Sequence, residues 1–154
     1  MSGLELGTKI PEITLKNQKG TPIDINDFKG KNVLLSFHPL AWTSVCEKQM
    51  KNIEGHYDYF VDQLNIVPLG ISIDHSFCKN AWAKAIEVEK LDMLCDFWPT
   101  GELAKMCNIF REEAGTSERA DLLFDEEGIL IFQKIYPISE VPNLSLVVDA
   151  ITNR

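Results

Sequence analysis

Short apolar runs and longer amphipathic stretches alternate along this chain. Asn32–Phe37 (NVLLSF) is a continuous apolar run ending at His38-Pro39. Residues 65–73 form a second, rich in β-branched residues with Gly70 inside it. Runs this short between polar breaks predict buried strands. Alternation at Ile13-Thr14-Leu15 and Ile23-Asp24-Ile25, around turn residues 17–20, predicts an N-terminal β-hairpin. Residues 120–124 and 129–136 repeat that arrangement around Asp125-Glu126-Glu127-Gly128. Between the strands, Met50, Ile53, Tyr57, Phe60 and Leu64 recur at helical spacing, predicting a helix from Ser44 to about Leu64. A second helix is expected over 74–89, capped by Asp74 or Ser76, with Phe77, Ala81, Trp82 and Ala85 on its buried face. Residues 91–95 read as a short strand, 101–110 as a short helix, 111–118 as a charged loop and 141–151 as a closing helix. This order predicts an α/β fold with a mixed central sheet flanked by helices.

The bulk numbers narrow the class. At 154 residues, without repeat or low-complexity segment, the chain is expected to be a single domain, 1–154. A net charge of −8 and the lack of a basic cluster exclude a nucleic-acid binder. The longest uncharged stretch, 32–46, is 15 residues and contains a proline, so no membrane span is expected. Residues 1–12 lack the apolar core of an export signal, which makes the cytoplasm the expected compartment. Four cysteines in that setting are expected to be reduced thiols, and without a Cys-x-x-Cys pair no metal site is expected.

One of those thiols has chemistry written around it. Cys46 falls in the first turn of a helix that follows a strand, where unpaired backbone N–H groups and the positive end of the helix dipole favour a thiolate. That is a standard way to make a cysteine reactive. Thr43 lies three residues before it and Pro39 seven before. A proline there can shield the sulfur without offering an N–H to it, and a threonine hydroxyl can hold a polar substrate.

The spacing Pro39-x-x-x-Thr43-x-x-Cys46 resembles the active-site signature of the peroxiredoxins, the alkyl hydroperoxide reductase C and thiol-specific antioxidant group. The segments FKGKNVLLSFHPLAWTSVC, LGISIDHSFCKNAWAK, LCDFWP and SERADLLFDEEG occur in that family's order, and His38-Pro39 is similar to its one-cysteine branch. The resemblance implies a thioredoxin-like fold with an added N-terminal hairpin, and a cofactor-free thiol peroxidase. It also implies that Cys46 attacks a hydroperoxide and becomes a sulfenic acid, with Thr43 and Arg119 binding the peroxide and Pro39 shielding the sulfur. Arg111 is the rival cation, expected to be solvated. Many relatives carry glutamate where this chain has Gln49, so Arg119 is expected to be less firmly oriented. His38 is either a base or a hydrogen-bonded wall residue, and Trp42 lines the substrate mouth or a dimer surface. Cys95 and Cys107 are expected in the core. For turnover, two routes stay open: resolution by Cys78, or by an external thioredoxin-like or low-molecular-weight thiol. The family habit implies a homodimer. A different class is also open, a redox relay that passes oxidation from Cys46 to a partner protein.

Overall fold

The computed structural model describes residues 2–154; Met1, part of the expected N-terminal segment, lies outside them. The strands are β1 (Thr14–Lys16), β2 (Pro22–Asp24), β3 (Asn32–Phe37), β4 (Ile66–Ser72), β5 (Asp92–Cys95), β6 (Phe110–Arg111), β7 (Thr116–Ser117), β8 (Arg119–Phe124) and β9 (Leu130–Tyr136). The helices are α1 (Ser44–Gly55), α2 (Ser76–Ala85), α3 (Glu102–Met106) and α4 (Leu144–Thr152). Seven strands make one mixed sheet in the order β2-β1-β5-β4-β3-β8-β9, while β6 and β7 pair separately. Strands β3, β4 and β5 run parallel, and β8 joins β3 antiparallel.

Because side chains alternate along a strand, the sheet has two distinct faces. Leu35, Phe37, Leu69, Ile71, Leu94 and Leu122 pack on one, with Leu103 and Ala104 of α3. Leu34, Met93 and Leu123 pack on the other, against Cys46, Met50 and Ile53 of α1, Trp82 and Ala83 of α2, and Leu144 and Val147 of α4. Gly70 opens this second face to α1. A Cβ there would stand 2.5 Å from Met50 Sδ, so the Met50 side chain occupies the space a larger residue would fill.

The hairpins and β3 fold as expected; the helices differ. The helix predicted to Leu64 breaks after Gly55, at His56, and resumes over 57–58 into a π-turn at Tyr59–Gln63. Helix α2 is capped by His75, whose Nδ1 accepts from the Phe77 N–H, rather than by Asp74 or Ser76. Its buried face is also not the expected one. Phe77 is 82% exposed and Ala81 and Ala85 are exposed, while Lys79 is fully buried beside Trp82 and Ala83. The expected loop 111–118 contributes to the small β6–β7 hairpin. Helix α3 is shorter than 101–110, and α4 begins only at Leu144, after the Asn143 cap.

Candidate active site

The sheet register sets the site. Phe37 pairs with Ile71 and with Ala120, and Ser72 pairs with Cys95. One step further along, Arg119, His38, Ser72 and Cys95 fall in a row across β8, the end of β3, β4 and β5. Phe37 belongs to the α3 side, so alternation turns this row toward α1 and α2. One step inward on the same face, Ser36 lies opposite both Asp121 and Gly70.

Helix α1 places Cys46 over this row. Thr43 is its N-cap residue, with extended backbone, and Cys46 is its third residue. The Thr43 hydroxyl does not cap the helix but donates to the Leu40 carbonyl at 2.7 Å, leaving its lone pairs free to accept. Trp42 takes a positive φ of 68°, a strained conformation for a bulky residue. The loop is held there by the Ala41 N–H, which donates to Asp74 Oδ2 at 2.8 Å. Pro39 is buried beside the sulfur's loop and Trp42 is 57% exposed.

Arg119 reaches the sulfur directly. Its Nη1 donates to Cys46 Sγ at 3.3 Å and to Gln49 Oε1 at 2.8 Å. Its Nε and Nη2 both donate to the Ile138 carbonyl, at 2.9 and 2.7 Å. The guanidinium is 2% exposed and rigidly aimed. Gln49, which accepts from Arg119, is the second link of a buried chain. Its Nε2 donates to Ser36 Oγ and to the Phe37 carbonyl, and Ser36 Oγ donates to Asp121 Oδ1 at 2.6 Å. Burial pushes the Asp121 carboxyl up to about 6, partly offset by the Ser36 bond. Arg111 is remote from this network and faces Glu118 at 3.8 Å.

His38 is fully buried, with Nε2 2.8 Å from Lys79 Nζ. Burial first, then the charges of Lys79 and Arg119, lower its pKa well below the usual imidazole value, so it is neutral. Cys78, on α2, is half-buried and donates to Asp74 Oδ1 at 3.8 Å. Burial and then Asp74 raise its pKa, against a hydrogen bond from Trp42. Burial pushes Cys95 up to about 11 and Cys107 up to about 12, and both pack in the core as expected. Residues that sequence reasoning passed over are Ser36, Ser72, Asp74, Asp121 and Lys79. A polar residue inside an apolar strand, as in NVLLSF and RADLLF, was the available signal for Ser36 and Asp121.

An open cavity of about 290 Å³, lined by His75, Ser76, Cys95, Phe97 and Trp98, adjoins the site but is not lined by Cys46. Among the described residues no three His, Cys, Asp or Glu side chains converge to hold a metal ion, and no helix is long and apolar enough to cross a membrane.

A buried thiol in the first turn of a helix, touched by a guanidinium fixed on a neighbouring strand, defines a thiol-based oxidoreductase. The comparisons make the class specific. The AhpC/TSA family profile matches residues 6–133. The alkyl hydroperoxide reductase E of Mycobacterium tuberculosis is 30% identical over 149 residues, covering 96% of each chain. A peroxiredoxin of Thermotoga petrophila is 30% identical over 152 residues, 95% of this chain and 69% of its own. Among solved structures, Enterococcus faecalis AhpC shares the fold with a TM-score of 0.89 at 24% identity, covering 99% of this chain and 92% of its own. Reduced Plasmodium vivax 2-Cys peroxiredoxin superposes with a TM-score of 0.87 at 25% identity, covering 97% and 81%. The chain belongs to the AhpC/TSA family, has its thioredoxin-like fold, and is a thiol-dependent peroxidase.

Proposed function

We propose that the protein reduces hydrogen peroxide or organic hydroperoxides through Cys46. The 3.3 Å contact between Arg119 Nη1 and Cys46 Sγ, at the start of α1, carries this reading. Positive charge and unpaired N–H groups stabilise a sulfur anion. They also stabilise negative charge on the peroxide oxygens as the O–O bond breaks. The Cys46 thiolate attacks the terminal peroxide oxygen, forming an S–O bond. The O–O electron pair leaves on the alkoxide or hydroxide, which takes up a proton. Cys46 becomes a sulfenic acid and the peroxide an alcohol or water. Thr43, with its own proton committed to Leu40, accepts from the peroxide O–H, and Pro39 walls off water.

One thiol then condenses with the sulfenic acid, releasing water and leaving a disulfide, and a second thiol displaces Cys46. We assign both to an external thioredoxin-like or small thiol. The Cys78 S–H is engaged by Asp74 and its pKa is raised, which makes it a poor resolving nucleophile at neutral pH. The exposed apolar residues Leu40, Trp42, Phe97 and Trp98 favour a homodimer formed through this side of the molecule. Four free thiols suit the cytoplasm. The described residues act as one domain, since Gly3 bonds Asn108 and Arg154 bonds Asn32 and Glu126.

Two measurements test this. Steady-state consumption of peroxide with an excess of dithiol must occur in the wild type and vanish in Cys46→Ser. Intact mass after one equivalent of peroxide must rise by one oxygen. A loss of two hydrogens instead, abolished in Cys78→Ser, would move regeneration to Cys78.

A further inference from the structure

The site holds a second buried cation that the reaction above does not use. Lys79 is fully buried, and none of the ion pairs among the described residues includes it. An ammonium has three N–H groups. Lys79 directs one to Ser72 Oγ and one to His38 Nε2, each at 2.8 Å. The only carboxylate in this chain of bonds is one step removed, because the Ser72 hydroxyl spends its own proton on Asp74 Oδ2 at 2.7 Å. A protonated Lys79 makes His38 Nε2 an acceptor, so the His38 proton sits on Nδ1. That atom is buried and has no partner. The result is a buried positive charge and a spare buried N–H in one corner of the site, with no anion in contact. Such an arrangement is costly unless a negative charge is close by.

Three cysteines and the Asp74 carboxylate act on this charge. Lys79 interacts electrostatically with Cys95 on β5, Asp74 after β4, Cys46 on α1 and Cys78 on its own helix, and its Nζ stands 5.9 Å from the Trp82 ring. Arg119, on β8, also acts on His38. Cys95 is held as a thiol, its S–H directed at the Asn17 and Met93 carbonyls. Cys78 donates to Asp74. Cys46 is the remaining sulfur, and it alone of the three touches a guanidinium.

We propose that Lys79 is a positioning residue of the peroxidase site, a second cation that holds the Cys46 sulfur in its anionic form by through-space charge and locks His38 as the Nδ1–H tautomer. Arg119 acts by contact and Lys79 from behind the first wall. The inference rests on Cys46 being the reactive thiol. It adds a pH signature, since burial lowers Lys79 to about 8 against the opposing pull of groups such as Asp74 and Cys46.

The test is the rate at which a neutral alkylating reagent modifies Cys46 in the full-length protein, followed from pH 5 to 10 in wild type and Lys79→Met. Methionine keeps the bulk and removes the charge. At pH 6 the variant is expected to react roughly 3- to 10-fold more slowly, and at pH 9.5, where Lys79 is neutral, the two should converge. A merely structural lysine would lower both limbs together or neither. Equal rates at pH 6 in a folded variant overturn the inference. A wild-type Cys46 no faster at pH 6 than a free thiol overturns instead the assignment of Cys46. Should Lys79→Met fail to fold, 13C-lysine NMR on the wild type decides. Capping Cys46 with a neutral carbamidomethyl group must lower the Lys79 titration midpoint, and an unchanged midpoint contradicts the proposal.

Discussion

Arg119 and Lys79 are two buried basic side chains of one site, and only Arg119 touches the Cys46 sulfur. Each leads through uncharged groups to a carboxylate: Arg119 through Gln49 and Ser36 to Asp121, Lys79 through Ser72 to Asp74. Arg119 spends its planar fork on a carbonyl, an amide and the sulfur, so its orientation is over-determined. Lys79 has two hydrogen bonds, neither to a sulfur, so its charge matters more than its direction. Contact can stabilise a transition state as charge moves, whereas distant charge sets the starting state.

Removing Arg119 should therefore have the largest effect. Arg119→Met is expected to lower the second-order rate constant with hydrogen peroxide by about 10²- to 10³-fold, read by stopped-flow tryptophan fluorescence. Next is the relay behind it. Native Asp121 keeps its proton up to about pH 6, whereas the unfolded chain releases it near 3.8. The native state thus binds more protons across that window, and stability contributed by this group falls as pH rises through it, by on the order of 3 kcal/mol. Urea midpoints at pH 4, 5 and 6 should show this decline in the wild type, and Asp121→Asn should lack that component.

Gln49→Glu separates charge from hydrogen bonding. The new carboxylate can face Arg119, but it cannot donate to the Phe37 carbonyl, and two acceptors would then oppose each other in the interior. A loss of about 2 kcal/mol in chemical denaturation is expected. Arg119→Lys should cost least, about tenfold in peroxide rate, because charge survives while the shared grip on Ile138, Gln49 and Cys46 does not. If Arg119→Lys proved as slow as Arg119→Met, the fork geometry would outweigh the charge.

The thiol of the Arg119 side was legible from local pattern, while Arg119 itself followed from the family resemblance and its partners Ser36 and Asp121 were not singled out. NVLLSF reads as a strand, Ser44 opens a helix, and Cys46 lands in its first turn. Arg119 stands at the head of an apolar run. The Lys79 side was not legible because a lysine on a helix is normally taken to face water. Taking 77, 81, 82 and 85 as the buried stripe put Phe77 inside, whereas 79, 82, 83 and 86 share the buried face. That second stripe obeys the same helical spacing, and only the charge of Lys79 hid it. The break after Gly55 escaped notice for a related reason: the apolar spacing carries on to Leu64 through a π-turn. Tertiary burial overrode residue type at Lys79, Ser36 and Asp121.

The sulfur beneath Arg119 is the centre of this account, and site-resolved trapping of oxidation tests it most directly. Reduced protein is given one equivalent of hydrogen peroxide in the presence of a sulfenic-acid trap, digested and mapped by tandem mass spectrometry. The trap is predicted on Cys46, with Cys78, Cys95 and Cys107 unlabelled, and with the label sharply reduced in Arg119→Met. Label on another cysteine, or labelling of Cys46 that ignores the loss of Arg119, would contradict it.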